Sequence, residues 1–191
     1  MTEQEQIIQG YVNDMLAVER EAHSAVSRQK HDATVKHYAE ASRVIDRIEE
    51  TLDRHIDELR ACLERMGGDE SLMKKAVGTA LGAVGGLYDK LRTDGRVSRM
   101  LRDDYAGMAF STACYEMLHT TALAAGESMV AAVALRHLRD YTSLVMEVSD
   151  VLPQVLTDEL ATRGKLKIDK TAAQEAVRNT REAWSQGSQH G

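Results

Sequence analysis

Residues 7–26 read IIQGYVNDMLAVEREAHSAV, and this stretch decides the fold because its apolar residues recur at helical spacing. The predicted helix covers residues 4–29. Its apolar face carries Ile8, Val12, Met15, Glu19, Ala22 and Val26. Glu19 is therefore a carboxylate on a buried face, where a charge is costly unless it is paired, hydrogen-bonded or bound to a metal ion. We expect Glu19 to have such a partner on another helix.

A second long helix is predicted over residues 33–66, with Asp32 as its N-cap and Gly67-Gly68 as its stop. Its apolar face consists of Tyr38, Ser42, Ile45, Glu49, Leu52, Ile56, Leu59 and Leu63. Glu49 is therefore also expected on a buried face. His55 lies beside this face, and we interpret it as structural or exposed.

Composition limits the classes of protein that fit. The chain has 191 residues, one proline and 4% aromatic residues, which favours one all-α domain over a sheet. A net charge of -6 without a basic stripe argues against nucleic-acid binding. The polar start MTEQEQ and the lack of an apolar run of about 18 residues argue against a signal peptide and a membrane span. Cys62 and Cys114 are read as buried free thiols, so a cytoplasmic location is expected.

Two further long helices are predicted over residues 96–126 and 128–152, the second ended or kinked at Pro153. Glu116 and His119 form an E-x-x-H pair on one face of the third helix. This spacing is used by carboxylate-bridged metal sites in helical bundles, although it also arises by chance on surface helices. His137 and Asp140 have the same spacing on the fourth helix.

The order of these helices predicts two hairpins, residues 4–66 and 96–152, joined by a long crossover over 69–95. This is the connectivity of ferritin-like four-helix bundles. Residues 1–163 would form the bundle, and 164–191 a C-terminal helix, docked through Ala173, Val177 and Trp184, with a frayed tail. The glycine-rich segment 76–87 is interpreted as a packed crossover helix, or alternatively as a mobile lid or a dimer contact. A homo-oligomer, namely a dimer, is expected.

Three stretches resemble the ferritin-like superfamily, and they are most similar to its stress-associated bacterial branch, the YciE/YciF type. They are YVNDMLAVEREA (11–22), RIEETLDR (47–54) and ALRHLRDYTSLV (134–145), and the resemblance covers about residues 5–152. It implies that Glu19 and Glu49 are metal-ligand glutamates and that Asp140 or Tyr141 occupies another glutamate position. The histidine of the family's E-x-x-H motif falls on Leu52, so one ligand is replaced.

The third helix resembles the family in two possible alignments. One alignment places the family's ligands on Glu116 and His119. The other, which needs no gap, places the family's glutamates on Met108 and Ser111. In the second alignment two more ligands are lost, and the metal site would be partly degraded or rearranged.

Two functions therefore stand side by side, and whether the protein is an enzyme is left open. In the first, a site for iron or manganese is formed by Glu19, Glu49, Glu116, His119 and Asp140. A stress-related role and oxygen or peroxide chemistry would be compatible with it. In the second, the metal site and its cofactor are lost, and the bundle is a non-catalytic scaffold or oligomerising protein. Glu19 would then bond to His119 or Tyr141 in a structural network.

Overall fold

The computed structural model of the protein describes residues 2–68, 95–162, 164 and 167–187. These residues form five α-helices and one 3-10 turn, with no strand among them, which confirms the all-α class. The helices are α1 (Glu3–Lys30), α2 (Ala39–Arg65), α3 (Val97–Ala124), α4 (Ser128–Thr162) and α5 (Ala172–Gly187), and the turn is Val35–His37. Residues 69–94 of the predicted crossover over 69–95, including the glycine-rich segment 76–87, lie outside the described residues.

The four long helices form a bundle in which each helix runs antiparallel to its two neighbours. α1 packs between α2 and α3, and α4 closes the other side. Cross-helix pairs show the opposite directions: Arg47 and Arg54 of α2 reach Glu147 and Asp140 of α4. α2 and α3 lie at opposite corners and run in the same direction, so the last residue of α2 and the first residue of α3 lie at opposite ends of the bundle. This is ferritin-like connectivity.

A single hydrophobic core runs the length of the bundle, because each helix buries one apolar stripe against the other three. Fully buried examples from the four helices are Ile8, Ile45, Leu118 and Val148. Burying each such side chain contributes about 1.5–3 kcal/mol. Among the described residues, no helix combines the length and apolar character that crossing a bilayer requires.

One predicted helix start was wrong, and of the two alternatives predicted at Pro153, an end or a kink, the end is excluded. Asp32 does not cap α2. Its carboxylate accepts a hydrogen bond from the Thr34 backbone N–H at 2.7 Å, and the helix begins only after Tyr38, whose side chain makes no capping bond. α4 does not end at Pro153 but continues to Thr162. A proline removes one N–H from the helical ladder, and this helix of 35 residues keeps its packing against α3 on both sides of that position.

The C-terminal helix α5 lies against α4. Arg181 donates two hydrogen bonds to the Asp150 carboxylate, at 2.9 and 2.5 Å. The rings of Trp184 and Tyr105 lie 6.3 Å apart, and Ala173 is buried. The faces expected to dock α5 are thus the ones that contact the bundle.

α2 and α3 end in the same capping motif, with a glycine in the left-handed region. Gly126 has φ +75°, and its N–H donates to the Leu123 carbonyl while that of Glu127 donates to the Ala122 carbonyl. Gly67, with φ +69°, ends α2 in the same way. These bonds satisfy carbonyls that a helix end otherwise leaves open.

Gly126→Ala should lower the free energy of unfolding by about 1 kcal/mol, because a Cβ is strained in the left-handed conformation. The matched control is Gly10→Ala in the middle of α1, where an added Cβ meets nothing within 4 Å. This control should raise stability by about 0.5–1 kcal/mol. Urea unfolding of both variants measures the two changes, and equal changes of the same sign would contradict the assignment.

Candidate functional site

The centre of the bundle holds Glu19, whose side chain is fully buried. One group from each of the other three helices contacts its carboxylate. Tyr115 of α3 donates its hydroxyl to Oε1 at 2.6 Å, and Tyr141 of α4 donates its hydroxyl to Oε2 at 2.6 Å. His55 of α2 places Nδ1 at 3.4 Å from Oε1. The predicted burial of Glu19 is therefore confirmed, and both of its oxygens are engaged by protein donors.

Two fully buried histidines lie next to this carboxylate. The rings of His55 and His137 are stacked, with centroids 3.7 Å apart and planes 11° from parallel. Tyr115 meets His137 edge-on at 5.0 Å, and Tyr141 meets His55 edge-on at 5.2 Å. The two tyrosines thus bond to Glu19 and also pack against the histidine pair.

A short motif occurs once on α2 and once on α4, and the two copies bind each other crosswise. The motif is Arg-His-x-x-acid, at Arg54 to Glu58 and at Arg136 to Asp140. His55 Nε2 and an Arg54 nitrogen lie 3.2 and 2.9 Å from Asp140 Oδ2. His137 Nε2 and Arg136 Nε lie 3.0 Å from Glu58 Oε2. The buried histidines are thereby connected to two carboxylates at the surface.

The protonation states of the inner groups follow from their surroundings. Burial, and next the charge of Glu19, raises the pKa of Tyr115 well above its ordinary value, so its hydroxyl remains a donor. Burial, and next the neighbouring His55, lowers the pKa of His137 to about 3. A neutral imidazole has one N–H, so His137 can donate either to Tyr115 or to Glu58 but not to both.

The outer carboxylates remain charged. Burial acts to raise the pKa of Asp140, but hydrogen bonds from Arg54 and His55 outweigh it, and the pKa falls below its usual value. The pKa of Glu58 is lowered in the same way by Arg136 and His137 against burial. Each copy of the motif therefore ends in an ionised acid held by an arginine.

The five predicted metal ligands do not come together. Glu19 and Asp140 share one network, with His55 between them. Glu116 is exposed on α3, and His119 Nδ1 lies 2.9 Å from the Ala131 carbonyl oxygen. Glu49 bonds to Lys30 at 2.6 Å at the edge of the α1–α2 contact, away from Glu19. Tyr141 is the partner that the structural alternative expected for Glu19.

The prediction that Glu49 lies on the buried face was wrong. α2 buries a row through Ile48, Leu52 and His55, so Glu49 falls at the edge, where it is partly exposed. Ile45 and Leu52 are buried whether the inner face of α2 carries Glu49 or carries Ile48 and His55. The sequence alone therefore could not distinguish these two orientations of the helix. The same rotation of α2 brings His55 from the flank to the centre.

Sequence reasoning assigned no function to three residues of the network, namely His55, Tyr115 and His137. The partners of Tyr115 and His137 depend on the relative depth of the helices, which the sequence does not give. The repeated Arg-His-x-x-acid motif was a usable signal, because the same four-residue spacing on two helices indicates a mutual contact.

A ferritin-like fold implies metal ions held by glutamates and histidines, and the central residues do not fit such a centre. Both Glu19 oxygens already accept tyrosine hydroxyls, and Leu52 and Met108 are apolar. The two imidazole rings are stacked nearly parallel with their centroids 3.7 Å apart, so their in-plane nitrogen lone pairs cannot converge on one ion. Within residues 2–68, 95–162, 164 and 167–187, no three His, Cys, Asp or Glu side chains are grouped to hold a metal ion.

Comparison with known proteins gives the family. The sequence matches the "Domain of unknown function (DUF892)" over residues 5–177. The chain belongs to this family. DUF892 is related to the ferritin-like proteins, in agreement with the connectivity of the bundle.

The DUF892 chain is also similar to one solved structure, the crystal structure of protein XCC3681 from Xanthomonas campestris pv. campestris. The TM-score is 0.69 at 21% sequence identity, and the match covers 86% of this chain and 100% of the other. At this identity the likeness shows the fold alone. The comparison with curated proteins gave no match.

Tyr115→Phe should lower the free energy of unfolding by about 2–4 kcal/mol, because it removes a donor from a buried carboxylate. The matched control is Tyr38→Phe. Tyr38 is half-buried near Glu159, away from Glu19, and its replacement should change stability by less than about 1 kcal/mol. Urea unfolding at neutral pH measures both variants, and equal losses would show that the Tyr115 hydroxyl has no special role.

Proposed function

We propose that this DUF892 chain is a non-catalytic bundle protein that acts as a scaffold for self-association. In it, a hydrogen-bond network around Glu19 replaces a carboxylate-bridged metal centre. The observation that carries the proposal is the pair of 2.6 Å hydrogen bonds from Tyr115 and Tyr141 to the two oxygens of Glu19.

The energetics of the network favour a structural role. Hydrogen bonds to a charged group contribute about 1.5–3 kcal/mol each, and Glu19 accepts two from hydroxyls. An ion bound to Glu19 would displace these hydroxyls and leave Tyr115 and Tyr141 buried without their acceptor. A metal centre would therefore require both tyrosine side chains to move.

The second candidate is iron or manganese binding that involves the predicted residues Glu19, Glu49, Glu116, His119 and Asp140. One observation favours it: Glu19 and Asp140 are linked through His55 in one network. The finer resemblance to the stress-associated YciE/YciF type belongs to this candidate, and so does a stress-related role. It rests on the three matching stretches at 11–22, 47–54 and 134–145.

Metal content separates the two candidates. Protein purified without chelator, and again after incubation with Fe²⁺ or Mn²⁺ and desalting, should contain well under one ion of Fe, Mn or Zn per chain by ICP-MS. Glu19→Gln should give the same low value. About one ion or more per wild-type chain that is lost in Glu19→Gln would overturn the scaffold proposal and favour the metal site.

The self-association that we propose uses the outer stripe of α3, defined as Phe110, Ala113, Met117 and Ala124. These residues recur at helical spacing and are all exposed, with Met117 54% accessible. Ile7 of α1 adds an apolar side chain where the groove beside Ala124 begins. Exposed rows of apolar side chains on one helix occur at protein interfaces. The occupant that we propose is a second copy of this chain.

Met117→Glu should convert the dimer to a monomer, because a charge would be buried without a partner in the interface. The matched control is Ala132→Glu, on the exposed side of α4, which should leave the dimer intact. Light scattering coupled to size exclusion measures both masses. A wild-type chain that is monomeric at about 100 μM, well above the Kd of stable dimers, would reject this part of the proposal.

A further inference from the structure

Near the end of the bundle opposite the chain's N-terminus, one buried polar pair joins α1 to α3. Gln29 donates its Nε2–H to Asp104 Oδ1 at 2.8 Å. Asp104 is 1% exposed and Gln29 is 8% exposed. The other oxygen of each side chain, Asp104 Oδ2 and Gln29 Oε1, is buried and has no hydrogen-bond partner among the described residues.

Both unpartnered atoms are acceptors if Asp104 is ionised. Leaving a buried polar atom unsatisfied is unfavourable, and here the same pair would contain two such atoms. A proton on Oδ2 changes this, because a protonated carboxyl is both a donor and an acceptor. A carboxylic acid and a primary amide can then form a closed pair with two hydrogen bonds. One proton would satisfy both atoms.

We propose that Asp104 is a neutral carboxylic acid whose Oδ2–H donates to the Gln29 carbonyl, and that loss of this proton above neutral pH releases a clasp between α1 and α3. The clasp is a pH-sensitive element separate from the Glu19 network.

The side chains that face Asp104 from the other three helices carry no positive charge that would favour its ionised form. α1 presents Gln29, α2 presents the apolar Ile48 and Leu52, and α4 presents Tyr141. None of these four carries a charge at neutral pH. No salt bridge connects Asp104 to a cation within the described part of the chain.

Among the residues that the structure describes, the charge that acts on Asp104 comes from α3 itself. Asp103 is an acid, so it disfavours a second negative charge at Asp104, and its own carboxylate is paired with Arg102 at 2.7 Å. Burial first, and then the charge of Asp103, raises the pKa of Asp104 to about 7, against the opposing hydrogen bond from Gln29.

The clasp is also connected to the centre of the bundle. Asp104 and Tyr141 line the same small cavity, of about 10 Å³, together with Leu52 and Ser111. A cavity of this size is close to the minimum that holds one water molecule. An ionised Asp104 would attract water into this cavity, next to the tyrosine that bonds to Glu19.

The sign of the pH effect follows from linkage. The folded state keeps the Asp104 proton up to about pH 7, whereas the unfolded chain loses it near 3.8, so the stabilisation is complete below 3.8 and is lost as pH rises to about 7. In Asp104→Asn the amide can make both bonds at every pH. Relative to this variant, the folding equilibrium constant of the wild type should fall by up to about tenfold per pH unit between pH 4 and 7.

Urea unfolding from pH 4 to 9 tests this, with Asp103→Asn as the control, since Asp103 is also buried but is paired with Arg102. We expect a pH-dependent gain in stability for Asp104→Asn and none of that size for Asp103→Asn. A wild-type profile parallel to that of Asp104→Asn would overturn the proposal.

Carbon-13 NMR of the aspartate carboxyls is the second measurement. The signal missing in Asp104→Asn should titrate near neutral pH, and ordinary titration near pH 4 would also overturn it.

Discussion

A carboxylate buried in the middle of a helical bundle needs donors from its surroundings, and the arrangement of the four long helices depends on how Glu19 obtains them. α2, α3 and α4 each contribute one group, His55, Tyr115 and Tyr141. An apolar core tolerates some rotation of a helix about its own axis, because one aliphatic side chain can replace another. A hydrogen bond to a fixed carboxylate oxygen does not tolerate such a rotation. Glu19 therefore determines which face each partner helix turns inward.

The buried part of the network around Glu19 and its outer part, formed by the two arginines with Asp140 and Glu58, contribute differently to stability. Arg54 and Arg136 are about half exposed, and exposed ion pairs contribute about 0–1 kcal/mol. Their effect is to hold Asp140 and Glu58 ionised and in place against the buried histidines. The interior, in contrast, contains groups whose loss of a partner is expensive. Stability therefore resides mainly in the inner layer, and the outer layer orients it.

Much of the fold could be predicted from the sequence, because helical periodicity and glycine stops are local signals. The burial of Glu19 could be predicted for the same reason. The partners of Glu19 could not, since they depend on the relative depth and rotation of four helices that are distant in sequence. Asp104 shows the same limit: an acidic side chain is ordinarily expected at the surface, whereas the structure buries it.

The crossed Arg-His-x-x-acid motifs also bear on how the chain avoids wrong structures. If α2 shifted by one turn along α4, about 5.4 Å, most apolar contacts would be replaced by similar ones. The histidine contacts would not be replaced, because each histidine would lose both its stacking partner and its carboxylate acceptor while remaining buried. A slipped bundle thus has a specific energetic defect that the native one lacks. The crossed motifs therefore favour the native register of α2 against α4 over a slipped one.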